Sequence, residues 1–213
     1  MAIQVGCCSR AFQQGSPSGD GTWLAQRPNQ LRLMLADGLG HGPSAHAAVA
    51  QLRQRLEWIH RRGSEPLPLN RCLLELDQDL RSQGRGHQAA VALLDLQGDS
   101  GQLSALVVGN VQVHTLGRDG LRSVTSRNGM VGGTLPRNLQ ATDTVLGPNA
   151  LILVHSDGVS SGDCRRLLKQ LGSPARLQQL NAQVLSQRIV SRHGRWSDDA
   201  SCAVVLNRDD SQP

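Results

Sequence analysis

Four aspartates that border apolar segments suggest the chemistry of this chain. Asp20, Asp37 and Asp157 each precede a glycine, and Asp198 is followed by a second aspartate, Asp199. Bringing carboxylates together beside buried apolar residues costs free energy unless positive charge compensates them. Carboxylate and backbone carbonyl oxygens are hard donors, which favour Mg²⁺, Mn²⁺ or Ca²⁺ over zinc or copper. The pattern therefore suggests a divalent metal site, although an Asp-Gly pair taken alone is typical of a plain turn.

The segments around the first two aspartates are predicted to form a hairpin. Its turn is expected at Pro28-Asn29, the strongest turn signal between the two segments. In an antiparallel pair with that turn, Asp20 lies opposite Asp37, and such partners have Cβ atoms about 4.5–5.5 Å apart. The face they share also carries Leu24, Leu33 and Leu35. A buried face is therefore expected, with two carboxylates at its rim that repel each other unless a cation separates them.

The segment after Asp37 is too rich in glycine for a simple turn. Gly38-Leu-Gly-His-Gly42 alternates glycine with other residues, and such a segment lets backbone groups approach a ligand closely. Asp119-Gly120, by contrast, lies between two short strand candidates and is interpreted as an ordinary hairpin loop. The segment after Asp37 is therefore a candidate for a metal or phosphate site.

Apolar patterning predicts the elements that position these residues. Strands are predicted over 3–9, 21–25, 31–36, 89–96, 103–108, 111–116, 121–124, 142–146, 150–155 and 200–206. Helices are predicted over 44–61, 69–81 and 174–190, with Gly84-Arg-Gly86 ending the second. Runs of strands followed by helices, in place of strict alternation, indicate an α+β fold with mainly antiparallel sheet. No linker divides the chain, so residues 1–213 are expected to form one domain.

Composition narrows the possible classes of function. The chain has 22 Lys+Arg against 17 Asp+Glu, a net charge of +5, and only 2% aromatic residues. An arginine-rich surface suits acidic or phosphorylated partners, whereas scarce aromatic side chains argue against nucleic-acid binding by stacking. Binding of nucleic acid remains an alternative for one basic helix, which carries Arg53, Arg55, Arg61 and Arg62.

The sequence also suggests a cellular environment. No apolar run approaches the roughly 18 residues of a membrane span, and the first residues lack the pattern of a secretory signal. The five cysteines show no CxxC spacing and are expected to be reduced thiols. On a strand, the adjacent Cys7 and Cys8 would point to opposite faces. We therefore expect a cytoplasmic protein without membrane contact.

Six motifs, in order and spacing, resemble those of the PPM-type metal-dependent serine/threonine phosphatases. The resemblance is greatest to the SpoIIE-type branch and its RsbX-like single-domain members, and it extends from about residue 3 to residue 206. The motifs are Ser18-Gly-Asp20, Ala36-Asp-Gly-Leu-Gly-His-Gly42, Val108-Gly-Asn110, Asn128-Gly-Met-Val-Gly132, His155-Ser-Asp-Gly158 and Ser197-Asp-Asp-Ala-Ser201.

The resemblance implies a four-layer α-β-β-α sandwich: two mainly antiparallel sheets face each other, with helices outside and two Mn²⁺ or Mg²⁺ ions at one end between the sheets. Asp37 is the residue implied to bridge the two ions. The other ligands implied at matching positions are Asp20 and the Gly38 carbonyl for one ion, and Asp157 with Asp198 for the other, Asp199 being the alternative to Asp198.

The activity implied is hydrolysis of phosphoserine or phosphothreonine on a bacterial signalling regulator, such as a STAS-domain or partner-switching protein. The nucleophile implied is a hydroxide that bridges the two ions. Leu39 stands where eukaryotic members carry a histidine, so His41 or a metal-bound water is the candidate general acid. The family's phosphate-holding arginine near the first aspartate has no clear match here; Arg10 is the nearest candidate, but it lies far from that position in the sequence. Asn110 stands where some relatives bind a third ion and is not expected to bind one. The alternative is a catalytically inactive binding or scaffold module of the same fold, against which the four retained aspartates argue.

Overall fold

The structure, a computed structural model, describes residues 2–62, 66–82, 86–172 and 174–208. Within these ranges the chain forms ten strands and five helices. The strands are β1 (Ala2–Arg10), β2 (Asp20–Arg27), β3 (Gln30–Gly38), β4 (Ala89–Gln97), β5 (Gln102–Val108), β6 (Gln112–Gly117), β7 (Gly120–Ser123), β8 (Thr142–Val145), β9 (Ala150–His155) and β10 (Ala200–Arg208). The helices are α1 (Pro43–Arg62), α2 (Leu69–Ser82), α3 (Ser161–Leu171), α4 (Pro174–Gln178) and α5 (Ala182–His193).

The strands form two five-stranded sheets that face each other. Sheet A has the order β1-β10-β9-β6-β7, and sheet B has the order β2-β3-β4-β5-β8. All neighbouring strands in both sheets are antiparallel. Helices α1 and α2 pack on the outer face of sheet B, and α3 and α5 pack on the outer face of sheet A. The predicted α+β class and four-layer α-β-β-α sandwich are therefore confirmed.

Side-chain alternation along β3 explains why an aspartate points between the sheets. Successive strand residues point to opposite faces. Leu33 and Leu35 lie in the apolar core between the sheets, whereas Met34 and Ala36 pack in the layer beneath α1 and α2. Asp37 continues the inward series at the end of the strand. Its carboxylate therefore lies at the edge of the apolar core between the sheets.

The β2–β3 hairpin has the register predicted from its turn. Asp20 pairs with Asp37 and Leu24 pairs with Leu33. The turn contains Asn29 with a φ of 63°, a left-handed conformation that asparagine tolerates better than most residues. The expectation that Leu24 is buried was wrong, because 42% of its surface is exposed. Leu24 lies on β2, the edge strand of sheet B, where less of the opposite sheet covers it.

The region after β9 differs from the prediction. Helix α3 was not predicted, and the single helix expected over 174–190 is divided into α4 and α5. Asn181 separates the two, and its side chain accepts a hydrogen bond from the N–H of Val184 at 3.0 Å, as an N-cap does. The residues predicted to end α2 lie largely outside the described ranges, since 83–85 are not described.

The structure also shows where the cysteines and the basic residues of α1 lie. Cys7 packs toward the core between the sheets and Cys8 toward the layer under α5, and the described cysteines are all free thiols. On α1, Arg55 pairs with Glu75 and Arg61 with Glu57. None of the described helices is long and apolar enough to cross a membrane.

Candidate metal and phosphate site

Four aspartates meet at one end of the sandwich because antiparallel strands bring their termini together. In sheet B, Asp20 begins β2 and Asp37 lies at the end of β3. In sheet A, Asp157 follows β9 by two residues, and Asp198 precedes β10 by two residues. Cys202 pairs with His155, which places the end of β9 beside the start of β10. Each sheet therefore supplies one pair of carboxylates to the same end of the molecule.

Asp37 lies at the electrostatic centre of this group. Its Oδ2 atom is buried and has no hydrogen-bond partner among the described residues. Burial is the largest of the causes that raise the pKa of Asp37 to about 9, and the negative charges of Asp20, Asp157 and Asp198 are the next. A buried oxygen that no protein donor satisfies, surrounded by like charges, is a position that a cation would stabilise.

Asp20 is held by hydroxyl groups from the opposite sheet. It is 7% exposed, and Ser156 Oγ donates a hydrogen bond to its Oδ2 at 2.6 Å. Burial raises the pKa of Asp20 to about 7, although hydrogen bonds from Ser156 and Ser201 oppose that shift. The metal-free site therefore favours a proton on Asp20 at pH values where an ordinary aspartate is ionised.

Gly38 places the backbone of β3 directly against α1. Its N–H donates to the carbonyl oxygen of Gly19 at 3.0 Å, and a Cβ at this position would lie 2.6 Å from the carbonyl oxygen of Ala45. The following segment turns through Gly40 and Gly42, whose φ values are 83° and 76°. This left-handed backbone explains the glycine-rich sequence after Asp37.

Asp157 is oriented by a side chain from the end of β5. Asn110 Nδ2 donates to Asp157 Oδ2 at 2.6 Å, so the observed contact of Asn110 is with a carboxylate. The next residue, Gly158, packs so closely on β10 that a Cβ there would overlap the carbonyl oxygen of Asp199. These contacts hold the segment after β9 against the segment before β10.

Asp198 and Asp199 have different surroundings. Asp199 is 4% exposed, and its two oxygens accept backbone N–H groups of Phe12 and Gly19, both at 2.7 Å. Asp198 Oδ1 accepts the N–H of Asp199 at 2.9 Å. Burial and then the charge of Asp157 raise the pKa of Asp198. The charges of both residues raise the pKa of Asp20, but only Asp199 joins the 11–19 segment to β10 through both of its oxygens.

Two further predicted residues lie at the rim of the group. His41 is exposed and its ring centroid lies 5.2 Å from that of Phe12; its positive charge lowers the pKa of Asp198, against the larger effect of burial. Arg10 stacks 4.3 Å above the Trp196 ring and donates to the carbonyl oxygen of Arg195. His41 therefore lies close enough to Asp198 to influence its pKa. Arg10 instead interacts with the loop that precedes Asp198.

The types of donor present are those that hard divalent cations bind. Within the described ranges, however, no three His, Cys, Asp or Glu side chains are placed so that they could hold a metal ion as they stand. Nor do the ion pairs found among these residues include any of the four aspartates. The carboxylates are instead neighbours of one another, with Asp37 Oδ2 buried and unsatisfied. Mg²⁺ and Mn²⁺ take oxygen ligands of this kind, with water completing the shell.

Sequence reasoning missed the side chains that orient these acids. Ser156 lies within one of the six motifs, but the motif predicts no role for its side chain, and Asn110 was predicted only not to bind a third ion. The signal for Ser156 was its position directly before Asp157. Its partner, Asp20, lies 136 positions away in sequence, so only the stacking of the sheets reveals the contact.

Comparisons with known proteins agree with this architecture. The family model for stage II sporulation protein E, SpoIIE, matches residues 27–207. No curated protein matches the chain. One similar solved structure comes from work on the bacterial stressosome, described as a modular system adapted to control secondary messenger signaling. It is 25% identical, has a TM-score of 0.82, and the match covers 96% of this chain and 100% of the other.

Two other solved structures have the same fold at lower identity. RsbX in complex with magnesium is 18% identical, with a TM-score of 0.73 and coverage of 96% of this chain and 94% of RsbX. The PP2C phosphatase domain of SpoIIE from Bacillus subtilis, with a fragment of its regulatory domain, is 19% identical. Its TM-score is 0.78, and the match covers 99% of this chain and 63% of that one.

Proposed function

Because this chain belongs to the SpoIIE family of PPM-type phosphatases, we propose that it is a metal-dependent phosphoprotein phosphatase acting on phosphoserine or phosphothreonine. The observation that carries the proposal is Asp37 Oδ2, buried and unsatisfied among three further aspartates. The whole of residues 1–213 is proposed as one phosphatase domain, since both sheets pack on one shared core.

The proposed cofactors are two Mn²⁺ or Mg²⁺ ions at the acidic end of the sandwich. Bound there, they would supply an activated water for in-line attack on phosphorus and neutralise the phosphoryl oxygens. Asp37 would contact both ions. The remaining ligands would be Asp20 and the Gly38 carbonyl on one side and Asp157 and Asp198 on the other. Asp198 is preferred to Asp199 because both Asp199 oxygens already accept backbone N–H groups.

The chain's own residues shape the reaction around these ions. Asn110 and Ser156 hold the carboxylates of Asp157 and Asp20 in fixed orientations. His41 is proposed to protonate the departing serine or threonine oxygen, because it is exposed and lies within electrostatic reach of Asp198. A water on the bound metal is the alternative donor for that proton.

The proposed substrate is a phosphorylated regulatory protein of the STAS-domain or partner-switching kind, encountered in the cytoplasm. Support comes from the structural neighbours, which include RsbX and a protein from work on the stressosome. The net charge of +5 also favours association with a phosphorylated partner. Nucleic acid is not proposed, since two of the arginines on α1 that suggested it are paired with glutamates.

A direct test is hydrolysis of p-nitrophenyl phosphate and of phosphoserine peptides with and without Mn²⁺ or Mg²⁺. We expect activity that needs the ion and falls at least about 100-fold in Asp37→Asn, because that change removes a carboxylate from both ion sites. Asp119→Asn is the matched control, since Asp119 is exposed in the β6–β7 turn. Absence of turnover with either ion would favour the inactive scaffold.

A further inference from the structure

Ser156 connects the two sheets at the acidic end through one hydroxyl group. The residue lies directly after β9 in sheet A and is fully buried. Its Oγ accepts the N–H of Ser201 at 3.0 Å and donates to Asp20 Oδ2 at 2.6 Å. Asp20 belongs to β2 of sheet B. A single buried hydroxyl therefore joins the backbone of one sheet to a carboxylate of the other.

The Ser201 N–H determines the direction of this hydroxyl. A serine hydroxyl has one donor hydrogen and accepts through its lone pairs. With the Ser201 N–H occupying an acceptor position, the hydrogen can point at Asp20 Oδ2 at 2.6 Å or at the Ser201 carbonyl oxygen at 3.5 Å, and the much shorter distance favours Asp20. Ser156 is fully buried, so shortening its side chain would leave Asp20 Oδ2 and the Ser201 N–H without this partner. A bound cation would keep Asp20 ionised, and hydrogen bonds to a charged acceptor are about twice as strong as neutral ones.

Further serines support the same arrangement. Ser201 Oγ donates to Ser9 Oγ at 2.7 Å, and Ser9 Oγ lies 3.4 Å from Ser18 Oγ. Ser18 Oγ accepts the backbone N–H of Asp20 at 3.1 Å. Both the carboxylate and the backbone of Asp20 are thus connected to hydroxyl groups, and β1 and β10 of sheet A contribute two of them. The geometry of Asp20 is therefore set from outside its own strand.

We infer that Ser156 is a positioning residue, whose hydroxyl orients the carboxylate of Asp20 for a divalent cation bound at the acidic end. The inference rests on the proposed function, because it assigns Asp20 to a metal ligand set. Groups that orient metal ligands commonly change metal affinity by 10–100-fold when removed. Ser156 acts through Asp20 and needs no contact with substrate.

The test is the affinity for Mn²⁺ of the full chain, measured by calorimetry and by electron paramagnetic resonance of free Mn²⁺, without any substrate. We expect Ser156→Ala to raise the dissociation constant at least about 10-fold. Ser156→Thr keeps a hydroxyl and should stay within about threefold of the wild type. The matched control is Ser186→Ala, which removes an equally buried hydroxyl whose partner is the Gln183 carbonyl on α5; its affinity should not change.

The outcomes separate this inference from the proposed function. Wild-type affinity in Ser156→Ala, or an equal loss in Ser186→Ala, would overturn the positioning role while leaving the metal site in place. Failure of the wild-type chain to bind Mn²⁺ would overturn the proposed function, and the inference with it. If Ser156→Ala does not fold, as judged by circular dichroism, Ser156→Cys takes its place. A thiol is a weak donor, so the same loss of affinity is expected.

Discussion

Asp37 is the residue whose ionisation the fold opposes most clearly. Burial and three neighbouring aspartates raise its pKa, and no described donor satisfies its Oδ2. Natural cores seldom keep an unsatisfied buried acid unless it has a function. Without a bound ion, the site therefore lowers the stability of the folded chain progressively as the pH rises from about 4 to about 9.

Asp37→Asn should change how stability depends on pH when a chelator is present. The folded chain keeps the proton of Asp37 to a higher pH than the unfolded chain, where aspartate ionises near about 4. Between that pH and about 9 the folded state binds more protons, so stability falls as pH rises. The asparagine variant lacks this contribution. Between pH 5 and pH 9 the free energy of unfolding of the variant should therefore rise, relative to that of the wild type, by at least about 1.4 kcal/mol, the equivalent of one pKa unit.

Urea unfolding in EDTA at several pH values measures this difference. Asp119→Asn, an exposed change in the β6–β7 turn, serves as the control and should follow the wild type. Parallel pH profiles for the wild type and Asp37→Asn would show that Asp37 is ionised at no cost in the folded chain.

At the scale of elements, the adjacent aspartates before β10 divide two tasks. Both interact electrostatically with Asp20, but both oxygens of Asp199 accept backbone N–H groups from the 11–19 segment, whereas Asp198 accepts only the N–H of Asp199. The connection made by Asp199 holds Gly19, and so the start of β2, beside β10. The position of Asp20 thus depends on a carboxylate that is not proposed to bind metal.

Substitution should separate the two tasks. Asp199→Ala leaves two backbone N–H groups without their acceptor, so we expect a loss of about 1–3 kcal/mol in the free energy of unfolding. Asp198→Ala should change that free energy less but should lower Mn²⁺ affinity at least about 10-fold, since even groups that only orient metal ligands change it by that much. Urea unfolding in EDTA and Mn²⁺ titration of both variants provide the comparison. The opposite pattern would exchange the roles assigned to the two residues.

The sequence predicted some of these elements and contacts but not others. The β2–β3 hairpin was predictable because a strong turn at Pro28-Asn29 fixes its register, and the register fixes which acids are opposite. Helix α3 was missed although its apolar residues Cys164, Leu167, Leu168 and Leu171 have the helical i, i+3, i+4, i+7 spacing, so the sequence did contain the signal for it. The contact of Ser156 with Asp20 was not predictable, since it depends on how two separate sheets stack.

At the scale of the whole molecule, the acidic end depends on both sheets being packed together. Asp20 and Asp37 belong to sheet B, whereas Asp157 and Asp198 flank strands of sheet A. The apolar core between the sheets, which includes Leu35 and Val154, therefore positions the two pairs. A shift of one sheet on the other would alter the distances between carboxylates without any change in the acids themselves.

Mn²⁺ should stabilise the whole domain because an intact site exists only in the folded state. A ligand that binds only the folded state contributes about 2.7 kcal/mol at 100 times its dissociation constant. For a domain of this length, such a gain raises the melting temperature by about 5–10 °C. Thermal unfolding with and without Mn²⁺ should show this shift in the wild type but not in Asp37→Asn. A shift of equal size in both would place the stabilising ion elsewhere.

The division of the aspartates between two sheets has a consequence for the amount of protein in a cell. An ion held by both sheets would slow their separation, and separation is the opening that exposes buried chain to proteases. Under manganese or magnesium starvation the protein would then be degraded faster, so the supply of the metal would govern how long each molecule survives.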